Sequence, residues 1–303
     1  MSSDELVIKA YMSYKHTCEN LIFKSKHSIY KENCLLALNN ENSSFEAAKD
    51  FFKNNFYYNK ESFYPEYGIM TGYYEPEVKA YKYKKNDSYP IYKINKKKYG
   101  DIIFKSSRNR INKGILDNKG LEIAWVDNEI EAFFLQIQGS GRLRFPNDQV
   151  IRIKYSASND RPYTAIGKIL IDQDIIKKEN ISMFTIKKWL YKNPERAREL
   201  MDKNERYIYF EEYIGEVKGS SGMKLEPMVS VAVDRNYYNL GDILLITEVD
   251  SKKSFLGIAH DTGVAIKGKN RIDLFTGFGR NAEKLAAGLN KKIVVRKLKP
   301  LFY

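Results

Sequence analysis

His260-Asp261-Thr262-Gly263-Val264-Ala265-Ile266-Lys267-Gly268 and, after Lys269, Asn270-Arg271-Ile272-Asp273-Leu274-Phe275-Thr276-Gly277-Phe278-Gly279 form the most informative stretch of the chain. It carries two aspartates twelve residues apart, each near turn glycines. Asp261 opens an Asp-Thr-Gly turn, where an aspartate accepts backbone N–H groups two residues on. Asp273 lies in a strand-like run, so its side chain is expected on the face opposite Ile272 and Leu274. Gly277 and Gly279 leave room for close approach to the backbone. On spacing alone, Asp261 reads as a structural turn residue. Asp273 reads as an exposed strand residue or a partner of Arg271.

Downstream and upstream of this stretch, short runs rich in β-branched and aromatic residues recur between Gly, Pro, Asn and Asp. They are Ile69–Tyr74, Glu131–Gln138, Val150–Tyr155, Val229–Val233, Ile243–Val249, Ser254–Ala259 and Ile293–Leu298, all read as strands. The N-terminal sixty residues read differently. Val7, Tyr11, Tyr14, Cys18 and Leu21 recur at helical spacing, and Ser43 with Glu46 forms a capping-box pattern ahead of Phe45, Ala48 and Phe52. Ser182–Arg198 reads as one helix and Ala282–Leu289 as a short one. Lys79–Lys98, crowded with Lys, Tyr and Asn, reads as an irregular crossing. The expectation is a mainly β protein, a barrel with N-terminal helices.

Composition narrows the functional classes. The 303 residues suffice for two ordinary domains, and 43% hydrophobic content with 14% aromatics supports a packed core. No run reaches the ~18 apolar residues that span a bilayer. Met1-Ser2-Ser3-Asp4-Glu5 is no export signal, and no early cysteine offers a lipid attachment point. The formal charge of +13 has two readings, codon bias toward Lys or an acidic polymer as partner. Without a Lys/Arg-rich recognition helix, nucleic acid is not the expected polymer. Two cysteines and three histidines without metal-ligand spacing predict no metal site. Cys18 and Cys34 read as two buried thiols, with pairing in an oxidising compartment as the alternative.

Four segments in order resemble the MltA family of lytic transglycosylases. They are Thr71-Gly72-Tyr73-Tyr74-Glu75-Pro76, Phe133-Phe134-Leu135-Gln136-Ile137-Gln138-Gly139-Ser140-Gly141, Pro162-Tyr163-Thr164-Ala165-Ile166-Gly167, and the Asp261…Asp273 stretch, which resembles that family's 3D motif. Weaker likeness runs through Ser107-Arg108, Trp125-Val126 and Ser230–Asp234, so the resemblance covers about Ile69 to the C-terminus. It implies a double-psi β-barrel with an inserted smaller β-domain and N-terminal helices. Carried onto this chain, residues 1–79 plus 211–303 would make the barrel and residues 80–210 the insertion.

The chemistry implied is cleavage of the β-1,4 bond between N-acetylmuramic acid and N-acetylglucosamine in peptidoglycan, with the C6 hydroxyl of the sugar as nucleophile and a 1,6-anhydromuramoyl end as product. The resemblance gives Asp273 the acid/base role, Asp261 a supporting one, and no cofactor. Glycan contacts are expected from Thr71, Gly72, Tyr73, Tyr74, Gln138, Gly139, Ser140, Gly141, Lys267 and Gly277. Alternation lets only one of Tyr73 and Tyr74 face the glycan, and a solvated Lys267 or a plain turn at Gly139-Ser140-Gly141 are the blander readings. The implied setting is the periplasm, with outer-membrane association through a lipid anchor not seen in this chain, among wall-synthesis proteins. Two alternatives on the same fold are a two-carboxylate hydrolase, with Asp261 and Asp273 about 6.5–9.5 Å apart, and a non-catalytic wall-binding module.

Overall fold

The computed structural model describes residues 2–22, 30–58, 66–263 and 266–301. Val264 and Ala265 of the Asp261…Asp273 stretch lie outside them. The chain divides into two compact units, one of Met1–Tyr74, Glu216–Gly277 and Asn281–Tyr303, the other of Glu75–Gly215 and Phe278–Arg280.

In the first unit six strands close into a barrel. Their order is Ile243–Glu248, Ser254–Thr262, Ser230–Val233, Arg271–Phe278, Gly68–Glu75 and Asn290–Lys297, the last pairing back onto the first. Ser254–Thr262 runs parallel to Ser230–Val233, and Arg271–Phe278 antiparallel to it. The barrel is filled by Met70, Val231, Leu244, Ile246, Ile272, Leu274, Ile293 and Val295. Each comes from a strand whose alternate residues point inward, the period-two pattern that made these runs legible.

The N-terminal helices cover the barrel through aromatic packing. Ser3–Thr17 starts with a capping box on Ser2 and Glu5, and Lys31–Asn39 and Phe45–Asn55 follow. Tyr11 and Tyr14 meet Phe51, Phe52 and Phe56, with ring centroids 5.0–6.1 Å apart. The cap of the third helix is Ser44, which accepts from the Ala47 backbone N–H, and not Ser43. Two adjacent serines offer the same signal, and only the backbone geometry chooses between them. The thiol reading of the cysteines is overturned: Cys18 and Cys34 form a disulfide that ties the π-helical turn Cys18–Ile22 to Lys31–Asn39.

One buried histidine pins helix to barrel. The Thr17 hydroxyl donates to the Ser13 carbonyl, so it accepts from His260 Nε2–H at 2.8 Å. His260 Nδ1 then accepts from the Ser230 hydroxyl at 2.8 Å, while Ser230 Oγ accepts the Glu226 N–H. Burial, with a smaller contribution from His16, pushes the imidazole pKa down to about 3. Below about pH 6.5 the unfolded chain therefore binds a proton that the folded chain refuses. The stability from neutral His260 is full above that pH and is lost as pH falls toward 3, by about 1.4 kcal/mol per pH unit. Urea titrations at pH 7 and pH 4 should show the wild type losing more stability than His260→Gln does. Equal losses would contradict the buried neutral ring.

The second unit is a six-stranded sheet in the order Tyr89–Tyr92, Glu122–Val126, Glu77–Tyr81, Ser140–Arg144, Val150–Ser158 and Ile208–Tyr213. Helices Glu129–Gln138, Ile166–Asp172, Met183–Lys192 and Pro194–Asp202 accompany it. Three sequence expectations are corrected here. Glu131–Gln138 is helical, capped by Asn128 and stopped by left-handed Gly139. Ile130, Ala132, Phe133, Phe134, Leu135 and Gln136 are all buried, and a segment apolar on every side shows no period that separates helix from strand. Lys79–Lys98 is not an irregular crossing, since Tyr89–Tyr92 pairs with Glu122–Val126 and Pro90 sits on the sheet's edge strand. Ser182–Arg198 is two helices, because Pro194 starts a new first turn after Asn193.

Candidate active site

The two aspartates are in the first unit. In the strand Arg271–Phe278, Ile272 and Leu274 enter the barrel core and Asp273 faces the other way, as alternation predicts. The neighbouring strand Gly68–Glu75 brings Thr71 alongside. Its hydroxyl donates to Asp273 Oδ1 at 2.6 Å and accepts from Arg271 Nη2 at 2.8 Å. Arg271 therefore reaches Asp273 through a hydroxyl, and a second nitrogen of its guanidinium donates to the Ile272 carbonyl. Two residues further along the same strand face, the Tyr73 hydroxyl donates to Asp261 Oδ2 at 2.9 Å. The Tyr73 ring lies 5.3 Å from that of Phe275.

Burial raises the Asp273 pKa above the ordinary carboxylate value, and the negative charge of Asp261 adds to it. The Thr71 hydrogen bond and the Arg271 charge work in the opposite direction. Burial against a low-dielectric wall disfavours the ionised form, so this carboxyl is suited to hold a proton. Thr71 occupies Oδ1 as a donor, which leaves Oδ2 as the proton's place. Burial and Asp261 together push the Tyr73 phenol well above 10, so it stays a donor.

Asp261 is held from a different side than the sequence suggests. Its Oδ1 accepts the Ser220 backbone N–H at 2.9 Å, the Ser220 hydroxyl at 2.8 Å and the Thr262 N–H at 2.8 Å. The expected bond from two residues on is replaced by a loop forty-one residues earlier, and Asp261 is the penultimate residue of the strand Ser254–Thr262. Gly219 makes this possible: a Cβ there would sit 2.3 Å from the His260 carbonyl. Ser220 escaped sequence reasoning because Gly219-Ser220-Ser221-Gly222 reads as an ordinary turn.

The remaining residues divide by unit. Gly72 packs on the helix Gly279–Gly288, since a Cβ would meet Ala286 Cα and Leu289 Cδ1 at 2.8 Å. Tyr74 is buried with its hydroxyl on Glu283 at 2.7 Å, so only Tyr73 of the pair joins the aspartates. Gly277 has φ +110°, a backbone conformation that a side chain would strain. Lys267 is exposed, and its charge acts on Asp234. In the second unit, Gln138 donates to Met183 Sδ, Gly139 ends its helix, Ser140 begins a strand, and Gly141 is buried against Leu135 and Pro76. Among the described residues no three His, Cys, Asp or Glu side chains gather to hold a metal, and no helix is long and apolar enough to cross a membrane.

Comparison with known proteins gives this geometry its context. Residues 69–211 match the MltA specific insert domain and residues 229–299 the 3D domain. The membrane-bound lytic murein transglycosylase A homolog of Buchnera aphidicola is 37% identical over 236 residues, 73% of this chain and 63% of its own length. The chain thus spans less than two thirds of that curated relative. Among solved structures, the lytic transglycosylase LtgG of Burkholderia pseudomallei is similar with a TM-score of 0.68 and 30% identity, covering 97% of this chain and 90% of that one. Escherichia coli MltA with bound chitohexaose is similar with a TM-score of 0.73 and 25% identity, covering 96% and 89%.

Proposed function

The chain belongs to the MltA family, and from that we propose that it is a lytic transglycosylase of peptidoglycan with Asp273 as its single general acid/base. The bond cut is the β-1,4 link from N-acetylmuramic acid to N-acetylglucosamine. The observation that carries the reading is the buried carboxyl of Asp273, whose pKa burial raises, with the Thr71 hydroxyl on one of its oxygens.

The steps balance on one residue. Protonated Asp273 donates to the glycosidic oxygen as the C1–O bond breaks and N-acetylglucosamine leaves. The resulting carboxylate accepts the proton of the muramoyl C6 hydroxyl as its oxygen bonds to C1, which restores the acid and leaves a 1,6-anhydro ring. A hydrolase needs a second carboxylate for its nucleophile or water. Here the nucleophile is tethered to the reacting sugar, and proximity replaces that group. Thr71 and Arg271 keep the pKa from rising so far that the carboxylate step fails. Asp261, fixed by Ser220 and Tyr73, supports the site without entering the proton transfer. Glycan contacts by Ser140 and Gln138 in the second unit, by backbone at Gly139 and Gly277, and by Tyr73 and Lys267 belong to the same proposal, whereas Tyr74, Gly72 and Gly141 are taken up by packing within their own units.

Action in the periplasm, attachment at the outer membrane and company with wall-synthesis proteins complete it. The Cys18–Cys34 disulfide supports an oxidising compartment, and the relative's printed name calls that protein membrane-bound.

Digestion of purified sacculi tests the reading. Released muropeptides one water lighter than their reducing counterparts support it, whereas reducing ends would assign the protein to the hydrolases. Thr71→Val supplies a finer test. It removes a hydrogen bond that stabilises the carboxylate, so the Asp273 pKa rises further. The alkaline limb of the pH–rate profile should move to higher pH, and a limb that stays put or moves down would contradict the assignment.

A further inference from the structure

Within the second unit lies a cavity of about 160 Å³, lined only by residues of that unit, among them Tyr92, Trp125, Phe133, Tyr207, Arg108 and Gln136. Arg108 is only 2% exposed. Its Nε donates to the Asn204 carbonyl at 2.7 Å and Nη2 to the Arg206 carbonyl. Its guanidinium carbon lies 4.7 Å from the Phe133 ring centroid and 5.2 Å from that of Tyr207. A guanidinium has five N–H donors, so several are left over. Among the described residues no carboxylate forms an ion pair with it. The acidic groups of the cavity wall are engaged elsewhere, Glu129 with Arg198 at 2.9 Å and Asp117 with the Tyr92 hydroxyl at 2.9 Å. Gln136 is also buried; its amide interacts with the Tyr207 hydroxyl, while its Oε1 accepts no hydrogen bond.

Glu129 and Asp202 act on Arg108 only through space, without a direct ion pair, and a buried cation lacking a direct partner and a buried acceptor lacking a donor are both costly. Burial already lowers the Arg108 pKa to about 10. One small molecule would relieve both costs, and a cavity of about 150 Å³ is enough to admit one of about six non-hydrogen atoms.

We propose that this cavity binds a small carboxylate with a neighbouring N–H, the chemistry of an amino acid or of a peptide's terminal residue. The carboxylate would meet Arg108, the N–H would meet Gln136 Oε1, and the aromatic rings would exclude water. This site is independent of the proposed glycan cleavage.

Calorimetric titration of the full chain with glycine, glycylglycine and acetamide tests it. Saturable binding of glycine or glycylglycine is expected, with none for acetamide, which lacks the charge. A free amino acid as source predicts that glycine binds at least as well as the dipeptide, and a peptide terminus predicts the reverse. Gln136→Met fills the same volume without the acceptor and should weaken binding by about tenfold. It also keeps the test decisive if Arg108→Met fails to fold. Asp273→Asn should bind like wild type, which separates this site from the transglycosylase reading. The proposal is overturned by the absence of saturable binding to glycine and glycylglycine, by acetamide binding as well as they do, by unchanged affinity in a folded Gln136→Met, or by loss of binding in Asp273→Asn.

Discussion

Asp273→Asn should lower the release of anhydromuropeptides by about 10²–10⁴-fold, the contribution of a positioned acid/base, while sacculus binding in a co-sedimentation assay stays near wild type. The amide has the shape of the carboxyl and can still accept the Thr71 hydroxyl, so the barrel keeps its local bonds. What disappears is the proton that Oδ2 delivers. The melting temperature should hold or rise, because a buried ionisable group has been replaced by a neutral one. In the wild type, activity should decline as pH rises through the raised Asp273 pKa, since the acid form is then lost. Asp261→Asn should behave differently. It weakens the anchorage of Ser220 and Tyr73, so stability and substrate affinity should suffer along with rate. If Asp273→Asn retained near-wild-type rates, the proton donor would have to be sought elsewhere in the chain.

The largest effect on stability is expected at the disulfide. Cys18 and Cys34 are sixteen residues apart, and closing a loop of that size in the unfolded chain is worth about 3 kcal/mol. The bridge joins the turn that continues the first helix, which buries Tyr11 and Tyr14, to the second helix, whose N-cap Tyr30 is buried in the same core. Reducing it, or making the double variant Cys18→Ala/Cys34→Ala, should lower the melting temperature by about 6–12 °C. Differential scanning calorimetry with and without reductant checks this. An unchanged melting temperature would mean that the bridge constrains nothing that unfolding releases.

How legible these features were depends on how local their causes are. Asp273 was placed correctly because alternation fixes the face of a strand residue once Ile272 and Leu274 are assigned to the core. The same rule separated Tyr73 from Tyr74. The helix Glu129–Gln138 was misread because burial on all sides erases the period, and only the Asn128 cap and Gly139 mark its ends. The cysteine pairing depends on the first and second helices lying side by side, where the Tyr11 hydroxyl donates to the Ala37 carbonyl and Tyr14 meets Cys34, a packing event that spacing does not encode. Ser220 and Asp261 meet across forty-one positions because Gly219 lets one backbone approach another, and such a contact leaves no mark in either local sequence. The catalytic reading of the aspartates came from the order of four motifs, not from the spacing of two acids, which is common in any chain this size.

The most direct test of the central claim is digestion of sacculi in ¹⁸O-labelled water, followed by mass spectrometry of the released muropeptides. Attack by the C6 hydroxyl predicts anhydromuramoyl products that carry no label from the cleavage step, released at least about a hundredfold more slowly by Asp273→Asn. Reducing ends that carry one ¹⁸O would show that water is the nucleophile, and a single-carboxyl transglycosylase would then be the wrong description of this site.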